Sequence, residues 1–597
     1  NPIAIIENNV NKNTDDYAIT GLGWIDIQLL DGLKWYTKAA MNLDISKSSD
    51  FRPEVPLYNF TTNEFMTLLD VGGKGLIARD DQNVYKNIYS YLSYDKKFGD
   101  HKLFAQAGYS MEDNVTQYLQ GYRQNYTSNL LRQIDAGSPS VQSTNGSQYE
   151  WAISSFFGRL DYNFKDRYLL QVNLRYDGTS RLSPETRWGA FPSFSAGWRV
   201  DEENFVKNLN LNWLNNFKIR GSYGELGNQN IGNYPYQAML ALTSNYSFDN
   251  SSLSTGVGQT NLSNTNISWE TTSILDLGLD FTVFDGLDVN FDWYKKTTSD
   301  ILRPAQVTDI VGLRPPTINN GTMENKGVEL TVNYRKQVKS GYFDGLNYSA
   351  GINLDHFKNK LVDFGAREIN DYSLREEGKE WDSYYMIEQI GIFQSATEIT
   401  NSPKQFNDAT VPGDLKFKDA NGDGVVNSDD RVAIKGRYPA LNYSFNFSAN
   451  WKGFDLSTML QGVANVKYYV DGWGTVPFVQ GAPPTTEWRN RWTESNPSTT
   501  MPRIYWGWQS PERISRQSSW YLQDASYLRL KNVTFGYTLP NQLTQQIGIS
   551  SLRLYFSGDN LITITKYPGL DPERGGSGAF VNYPQNKIYS VGLNVKF

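Results

Sequence analysis

One twelve-residue segment of the sequence has the spacing of oxygen ligands that a bound cation requires. Residues 419–430 read DANGDGVVNSDD and match the pattern D-x-[DN]-x-[DN]-G, in which alternate positions supply oxygen atoms and the glycine permits a sharp bend. The pattern predicts a structural calcium loop, with magnesium or an acidic turn that holds no metal as the alternatives. Its last ligand is Asp where an EF-hand has Glu, and no flanking helices are predicted. The predicted ligands are Asp419, Asn421, Asp423, the Val425 carbonyl, Asn427 and Asp430.

Side chains that could carry out catalysis are scarce. The chain has no cysteine and only two histidines, His101 and His356, so thiol chemistry is excluded and little remains for histidine-based catalysis. Adjacent carboxylates such as Glu376 and Glu377 are too common to indicate a glycosidase. The glycine-rich run at 221–229 lacks the following helix that a phosphate loop requires. We therefore expect a protein that is not an enzyme and has no catalytic cofactor.

Aromatic and basic side chains concentrate in the longest polar segment, residues 464–524. Exposed aromatic rings stack on sugars and also pack at protein interfaces or inside a loop. Arginines in the same segment could instead bind the carboxylates of a peptide, so the segment leaves the ligand open. The tryptophans that we select as candidate contacts are Trp473, Trp492, Trp506 and Trp508.

Strict alternation of apolar and polar residues is the main periodic signal, and it predicts β-strands. In 167–178, RYLLQVNLRYDG, alternate residues from Tyr168 to Tyr176 are apolar and those between them are mostly polar. We count about eighteen such strands, each near the length that crosses a bilayer at a tilt. The segments are 17–28, 33–44, 84–97, 101–112, 155–164, 167–178, 190–200, 216–225, 272–283, 287–298, 326–336, 346–356, 441–451, 453–463, 526–537, 551–562 and 587–597, with one poorly patterned strand between 380 and 395.

The connections between these strands alternate in length. Tight turns are predicted at 164–167, 284–287 and 451–454, and long polar segments such as 46–82, 113–152 and 464–524 lie between the hairpins. Short turns on one side and long loops on the other are typical of an outer-membrane β-barrel. A soluble sandwich would show more even spacing, and a propeller would show a repeat that is absent from this sequence. We therefore predict an all-β, antiparallel transmembrane barrel.

The composition agrees with this fold class. Only 39% of the 597 residues are hydrophobic, yet 14% are aromatic and 50 are glycine. A barrel accounts for these numbers because its lipid face is apolar, its two interfaces favour aromatic rings and its lumen is polar. The net charge of −7 gives no reason to expect nucleic acid as a partner. No run approaches eighteen apolar residues, so a transmembrane helix is not predicted.

Eight stretches, in order, resemble the barrel of the SusC/RagA family of TonB-dependent outer-membrane transporters from the Bacteroidetes. The resemblance covers nearly the whole chain. The stretches are FFGRLDYNFKDRYLLQVNLRYDGTSRL (156–182), RWGAFPSFSAGWRV (187–200), FKIRGSYGELGNQNIGNYPY (217–236), GTMENKGVELTVNY (321–334), PGDLKFKDANGDGVVNSDDR (412–431), YLQDASYLRLKNVTFGYTLP (521–540), LYFSGDNLITITKYPGLDPE (554–573) and YSVGLNVKF (589–597).

The resemblance implies a function beyond what the strand pattern shows. Members of the family are barrels of twenty-two strands that hold an N-terminal plug. A SusD-like surface lipoprotein covers the extracellular mouth as a lid, and the TonB complex supplies energy to displace the plug. The resemblance therefore implies active import of an oligomer, an oligosaccharide or, as in RagA, a peptide. A passive porin and a surface scaffold are the competing functions. The candidate tryptophans would contact cargo or lid.

The beginning of the chain departs from the family pattern. Residues 21–43 resemble a hairpin within the family's barrel. We therefore expect that residues 1–597 form a barrel domain that is incomplete at its N-terminus, with about eighteen of the twenty-two strands. The signal peptide, TonB-binding segment, plug and first strands are expected to lie outside this sequence. Residues 412–431 are expected to form a calcium-loop-like insertion within the barrel domain.

Overall fold

The computed structural model describes most of the chain. The described residues are 11–59, 61–69, 74–242, 244–248, 252–406, 409–471, 475–478, 483–505, 517–574, 580 and 583–597.

Long β-strands dominate the structure. Seventeen of the described strands contain nine residues or more. We number these β1 (Asn11–Leu30), β2 (Leu33–Arg52), β3 (Gly75–Phe98), β4 (His101–Gln124), β5 (Ser138–Phe164), β6 (Tyr168–Thr179), β7 (Trp188–Arg199), β8 (Leu214–Asn228), β9 (Glu270–Val283), β10 (Leu287–Ser299), β11 (Thr322–Gln337), β12 (Asn347–Asp363), β13 (Leu441–Trp451), β14 (Phe454–Ala464), β15 (Tyr527–Thr538), β16 (Ser551–Thr565) and β17 (Ile588–Lys596).

The remaining elements are short. The helices are α1 (Asn204–Lys207), α2 (Ala396–Thr400) and α3 (Asn541–Thr544), and among the described residues none is long and apolar enough to span a membrane. Single 3₁₀ turns lie at Ile134–Ala136, Val200–Glu202, Asp309–Val311, Ser428–Asp430, Thr486–Asn490, Ser519–Tyr521 and Gln545–Ile547. The short strands are Val55–Tyr58, Phe65–Leu69, Leu240–Ala241, Gly258–Gln259, Leu302–Pro304, Thr317–Asn319, Glu368–Asn370, Ser373–Arg375, Ser383–Ile387, Gln389–Ile392, Lys404–Gln405, Leu415–Phe417, Val425–Val426, Arg431–Ile434, Lys467–Tyr469 and Leu522–Asp524.

The chain separates into two compact units. The first comprises the described residues up to Ser195 with 224–271 and 300–319, and the second comprises 196–223, 272–299 and the described residues from Asn320 onward. In the first unit, each strand from β1 to β5 pairs antiparallel with the next strand in sequence. In the second unit, each strand from β10 to β16 does the same. Sequential antiparallel pairing is the up-and-down order expected of an outer-membrane barrel.

Tight turns join the strands where the sequence predicts them. Lys165 and Asp166 both have positive φ, 56° and 54°, and Lys452 and Gly453 have φ of 49° and 87°. Two consecutive residues of positive φ define the turn whose twist matches that of paired strands. The residues at these positions therefore fix the register of the hairpins that they close.

The two faces of the strands differ as the alternation predicts. On β6, Leu170, Val172 and Leu174 are 51%, 39% and 50% exposed, although all three are large and apolar. On the opposite face of the same strand, Arg175 forms an ion pair with Asp177 at 3.0 Å. An exposed apolar face on a strand with a polar opposite face is the arrangement that suits lipid on one side and water on the other.

Two expectations about the strands need correction. Several strands extend beyond the predicted alternation, so 46–52, 75–82, 113–124 and 138–152 belong to β2, β3, β4 and β5 rather than to loops. Ladder hydrogen bonds need no apolar side chains, and the strands therefore continue where alternation ends. The poorly patterned strand between 380 and 395 is not one of the long strands. It comprises Ser383–Ile387 and Gln389–Ile392, which lie in a connecting segment.

Candidate functional site

The two long connections between β12 and β13 and between β14 and β15 fold together into one body, which we call the loop body (the described residues of 364–440 and 465–526). Because β12 to β15 are consecutive antiparallel neighbours, both connections leave the same end of the strands. Although 464–524 is expected from sequence to be a long polar segment, the two connections share an apolar core. Its buried members are Tyr384, Met386, Ile387, Ile392, Leu415, Phe417, Val426, Tyr469, Val476, Trp488, Trp492 and Tyr521.

The strand Ser383–Ile387 lies at the centre of the loop body, and all five of its residues are buried. It pairs with Ser373–Arg375 and with Arg431–Ile434. The Tyr384 hydroxyl donates a hydrogen bond to the Lys467 carbonyl at 2.9 Å, which links the two connections. Burial raises the pKa of Tyr384 to about 12. The phenol therefore stays protonated at neutral pH and keeps its role as a donor.

An ion pair holds the edge of the loop body near α2. The Lys416 ammonium lies 2.9 Å from the Glu398 carboxylate, whose other oxygen accepts a hydrogen bond from the Gln394 backbone N–H at 2.8 Å. That N–H bond and the neighbouring Lys416 lower the pKa of Glu398. The carboxylate is therefore ionised at neutral pH and bound on both sides.

The predicted cation loop, residues 419–430, lies within the loop body as a series of tight turns. The Asp419 carboxylate accepts hydrogen bonds from the Gly422 and Gly424 backbone N–H groups at 2.7 and 2.9 Å. The Asn421 side-chain oxygen accepts from the Asp423 N–H at 2.9 Å, and Asp423 accepts from Val425 at 2.9 Å. The first half of the loop thus turns its side-chain oxygens toward its own backbone.

Asp430 closes the loop from its C-terminal end. Its side chain is fully buried, one oxygen accepts from the Ala420 N–H at 2.8 Å, and the other accepts from the Asn427 N–H at 2.8 Å. The Asn427 side chain accepts in turn from the Asp429 N–H at 2.7 Å, which completes a capping box around the short 3₁₀ turn. Short strands, Leu415–Phe417 and Arg431–Ile434, flank the loop, where an EF-hand would have helices.

The side chains of residues 419–430 meet only part of what a metal site requires. Among the residues that the structure describes, no group of three or more His, Cys, Asp or Glu side chains is arranged to hold a metal. Each oxygen of Asp419 and Asp430 already accepts at least one backbone N–H group, and Oδ1 of Asp430 accepts two, from Ala420 and Asn421. A cation here would therefore depend on amide and carbonyl oxygens as well as on carboxylates.

Of the four candidate contact tryptophans, the structure describes one. Trp492 packs in the core of the loop body, where its side chain is 8% exposed and its indole N–H donates to Gln394 at 3.2 Å. Gly413 lies so close that a Cβ added there would be 2.4 Å from the Trp492 ring. This packing favours the alternative of a structural role, and contact with cargo or lid stays a prediction. Trp473, Trp506 and Trp508 lie outside the described residues.

The arginines of the same segment divide into exposed and packed side chains. Arg489 is exposed at the surface of the loop body. Arg503 donates a hydrogen bond to the Pro412 carbonyl at 3.3 Å and its guanidinium lies 5.5 Å from the centre of the Tyr505 ring. Arg489 is therefore available to a ligand, whereas Arg503 holds two parts of the loop body together.

A charged cluster lies on the polar faces of β8, β9 and β10. The Arg220 guanidinium on β8 is 3.2 Å from Asp276, 3.1 Å from Asp280 and 2.6 Å from Asp292. Asp276 and Asp280 lie on β9 and Asp292 lies on β10. The Lys218 ammonium on β8 also lies 3.8 Å from Asp280, so two cations face three carboxylates, and this polar face agrees with the expected polar lumen.

Sequence analysis missed one buried ion pair. Arg529 and Asp571 have side chains that are each 2% exposed, and their charged groups lie 2.9 Å apart. Arg529 also pairs with Glu573 at 3.0 Å and donates to the Thr563 hydroxyl at 2.9 Å. Both acids belong to the sequence PGLDPE at 568–573, where two acids beside proline and glycine were the available signal. Their partner is distant in sequence and could not be assigned.

Comparison with known proteins defines the class of protein to which this fold and these loops belong. The family model described as TonB dependent receptor-like, β-barrel matches residues 4–561 of this chain. The chain therefore belongs to the TonB-dependent receptor β-barrel family, whose members are proteins of the outer membrane, and the predicted location in that membrane is confirmed.

Individual members of this class are similar to the chain over nearly its whole length. The chain is 29% identical to TonB-dependent receptor P3 of Formosa agariphila over 100% of its own length and 60% of that protein. It is 27% identical to TonB-dependent receptor SusC of Bacteroides thetaiotaomicron over 98% of its own length and 61% of that protein. The fold matches the RagAB peptide transporter with a TM-score of 0.82 at 24% identity, over 98% of this chain and 62% of that one. The resemblance to the SusC/RagA family is thus confirmed. The chain spans about three fifths of the length of these relatives.

Proposed function

We propose that this chain is the barrel portion of a TonB-dependent importer of oligomeric nutrients, most simply an oligosaccharide. The observation that carries the proposal is the family match across 4–561 together with a folded loop body at one end of the strands. The relatives are receptors and transporters, which agrees with the expectation of a protein that is not an enzyme. In this proposal the cargo crosses the membrane without chemical change.

The proposed partners act on the two ends of the barrel. A SusD-like surface lipoprotein would cover the loop body, since that body presents a preformed surface rather than separate loops. The TonB complex would displace a plug in a barrel of twenty-two strands. Outer-membrane lipid would surround the exposed apolar faces of the strands.

A peptide cargo is the alternative within the same mechanism. It is supported by the likeness in fold to a peptide transporter and by Arg489, which is exposed and able to bind a carboxylate. Burial of Trp492 weakens the argument for sugar stacking at that residue. A passive porin and a surface scaffold remain the alternatives outside this mechanism, and both lack an energy-dependent step.

Purification of the full-length protein from its native membrane tests the proposal. We expect a surface lipoprotein to co-purify, and mass spectrometry of the complex to show an oligomer trapped between the two proteins. An oligosaccharide supports the first proposal, whereas a mixture of peptides supports the alternative. Purification without any lipoprotein or trapped oligomer contradicts both and favours a porin or scaffold.

We also propose that residues 419–430 bind calcium as a structural ion. Support comes from the alternating oxygen ligands of the sequence and from the inward turn of the Asp419, Asn421 and Asp423 oxygens. Because the three carboxylates are not grouped, we expect weak binding of the kind found in extracellular modules, with a Kd of about 10⁻⁴ to 10⁻³ M. Magnesium remains the alternative cation.

A further inference from the structure

Three lysines form a row across neighbouring strands of the second unit. Lys295 on β10 lies directly opposite Lys326 on β11. Lys326 lies in turn directly opposite Lys358 on β12. Directly opposed side chains in an antiparallel sheet have Cβ atoms about 4.5–5.5 Å apart, so like charges in these positions destabilise the sheet. The three lysines therefore repel one another unless anionic groups lie beside them.

The lysine row lies on the apolar face of the strands. Side chains on a strand alternate between faces, and the pairing of these strands has no irregularity between the lysines and the next residues on the same face. Those residues form the row Trp293, Val328 and His356, followed by Phe291, Leu330 and Leu354. Leu354 is 37% exposed and Val328 is 36% exposed. The lysines thus stand where an exposed apolar surface ends.

The row lies at the loop-body end of the strands. β12 runs from the turn near Asn347 past Lys358 to Asp363, where the loop body begins. In outer-membrane barrels the long loops are extracellular and the short turns are periplasmic. The lysine row therefore lies at the boundary between the apolar band and the outer surface of the membrane.

Acidic side chains neutralise only part of this row. The Glu324 carboxylate on β11 lies 2.7 Å from the Lys295 ammonium and 2.7 Å from that of Lys326. Within the part of the chain that the structure describes, Lys358 and Lys360 form no salt bridge, although both are exposed. Both ammonium groups therefore remain available to an external anion, although Lys360 lies directly opposite Glu324, whose carboxylate already binds Lys295 and Lys326.

A cavity of about 690 Å³ adjoins these two lysines. It lies where β12 continues beyond its last pair with β13, His356 with Leu441. Lys358, Lys360, Lys435 and Lys467 line the cavity, and the carboxylates in its lining are Glu380 and Asp524. Glu380 also accepts a hydrogen bond from the Gly436 N–H at 3.2 Å. Four ammonium groups against two carboxylates make the cavity locally positive, although the whole chain is negative.

We propose that the lysine row and the adjoining cavity bind the phosphorylated headgroup of a lipid in the outer leaflet. The position supports this occupant because acyl chains would cover Leu354 and Val328 while phosphates meet the ammonium groups above them. Charge supports it because clusters of basic residues at a membrane boundary bind anionic headgroups. A lid protein would approach along the barrel axis, whereas these lysines face sideways on the surface that meets lipid.

Binding of a phosphorylated glycolipid to the full-length protein in neutral detergent tests this proposal. The probes are monophosphorylated lipid A, the same lipid without phosphate, and inorganic phosphate. The variant combines Lys326→Gln, Lys358→Gln and Lys360→Gln. Its matched control combines Lys336→Gln, Lys339→Gln and Lys452→Gln, which remove the same charge from exposed lysines at the short-turn end. Thermal unfolding establishes that both variants fold. If the variant with Lys326→Gln, Lys358→Gln and Lys360→Gln does not fold, the single variant Lys358→Gln replaces it.

We expect native mass spectrometry or thermophoresis to show that the first triple variant binds the phosphorylated lipid at least about tenfold more weakly, because each lysine near the surface contributes about a factor of five. The control variant should bind the phosphorylated lipid with the affinity of the parent protein. The lipid without phosphate should bind weakly to the parent protein and to the control variant. Equal affinity of parent and first variant would overturn the proposal. Competition by inorganic phosphate at the same concentration as the lipid would also overturn it, since the site would then bind a soluble anion.

Discussion

Asp430 is the residue on which the conformation of the loop at 419–430 most depends. It is fully buried, and its two oxygens hold backbone N–H groups from both ends of the loop. Loss of a buried acceptor costs the desolvation of each donor that it leaves unpaired. The loop therefore has a defined shape whether or not it holds a cation, and a test of calcium must separate binding from folding.

Calcium should slow hydrogen exchange in residues 419–430 of the full-length protein. We expect half of the effect at about 10⁻⁴ to 10⁻³ M calcium, with reversal by a chelator. Asp423→Asn should weaken the response, because it removes one charge from a position that is exposed. Asp135→Asn, a change of equal charge in another turn, should not alter it. Exchange that is the same with calcium and with chelator would show that the loop is an acidic turn without metal.

Arg529 should be among the most sensitive charged residues of the chain. Arg529→Met leaves the buried Asp571 without its partner 2.9 Å away, and removal of one partner from a buried pair costs about 3–5 kcal/mol. Arg553→Met is the control, because that arginine pairs with Asp455 at about one-quarter exposure. A partly exposed pair contributes about 1 kcal/mol or less. Denaturant unfolding in detergent should show the larger loss for Arg529, and equal losses would contradict this account.

At the scale of elements, the sequence predicts strands well where each strand has one apolar and one polar face. The alternation of 167–178 places β6 correctly at Tyr168–Thr179, and the predicted turn at 164–167 joins it to β5. The strand Ser383–Ile387 shows the limit of this reasoning. A strand that is buried on both faces has no alternation, so its sequence resembles a poorly patterned membrane strand.

The core of the loop body could not be predicted for a related reason. Trp492 and Val426 are far apart in sequence, and both lie in segments that are polar on average. An aromatic residue in such a segment serves equally for stacking on a ligand or for packing. Only the folded loop body shows that Trp492 is buried and that Arg489 is exposed.

Gly413 tests whether the loop body packs as a unit. It has φ of +94°, and a Cβ there would lie 2.4 Å from the Trp492 ring. Gly413→Ala should destabilise the loop body by about 1–3 kcal/mol, since both backbone strain and overpacking oppose it. Gly422→Ala is the matched control, with φ of +79° and no atom within 4 Å. Hydrogen exchange should accelerate around Trp492 in the first variant only, and equal acceleration in both variants would argue against tight packing.

At the scale of the whole molecule, each of the two units has long, sequentially paired antiparallel strands with exposed apolar side chains, as the match to the TonB-dependent receptor β-barrel family predicts. The chain spans about three fifths of the length of its relatives. Energy coupling by TonB is a proposal for this chain. It is the central claim of the proposed function, because it separates an importer from a porin and from a scaffold.

Uptake of a labelled oligomer in the native organism tests that claim most directly. The oligomer is the one that mass spectrometry identifies in the purified complex, and the cells compared are the parent strain, a strain without this protein and a strain without TonB. We predict that uptake is lost in both deletion strains, while the protein reaches the outer membrane in normal amounts in the strain without TonB. Undiminished uptake without TonB would contradict the account and identify a passive channel.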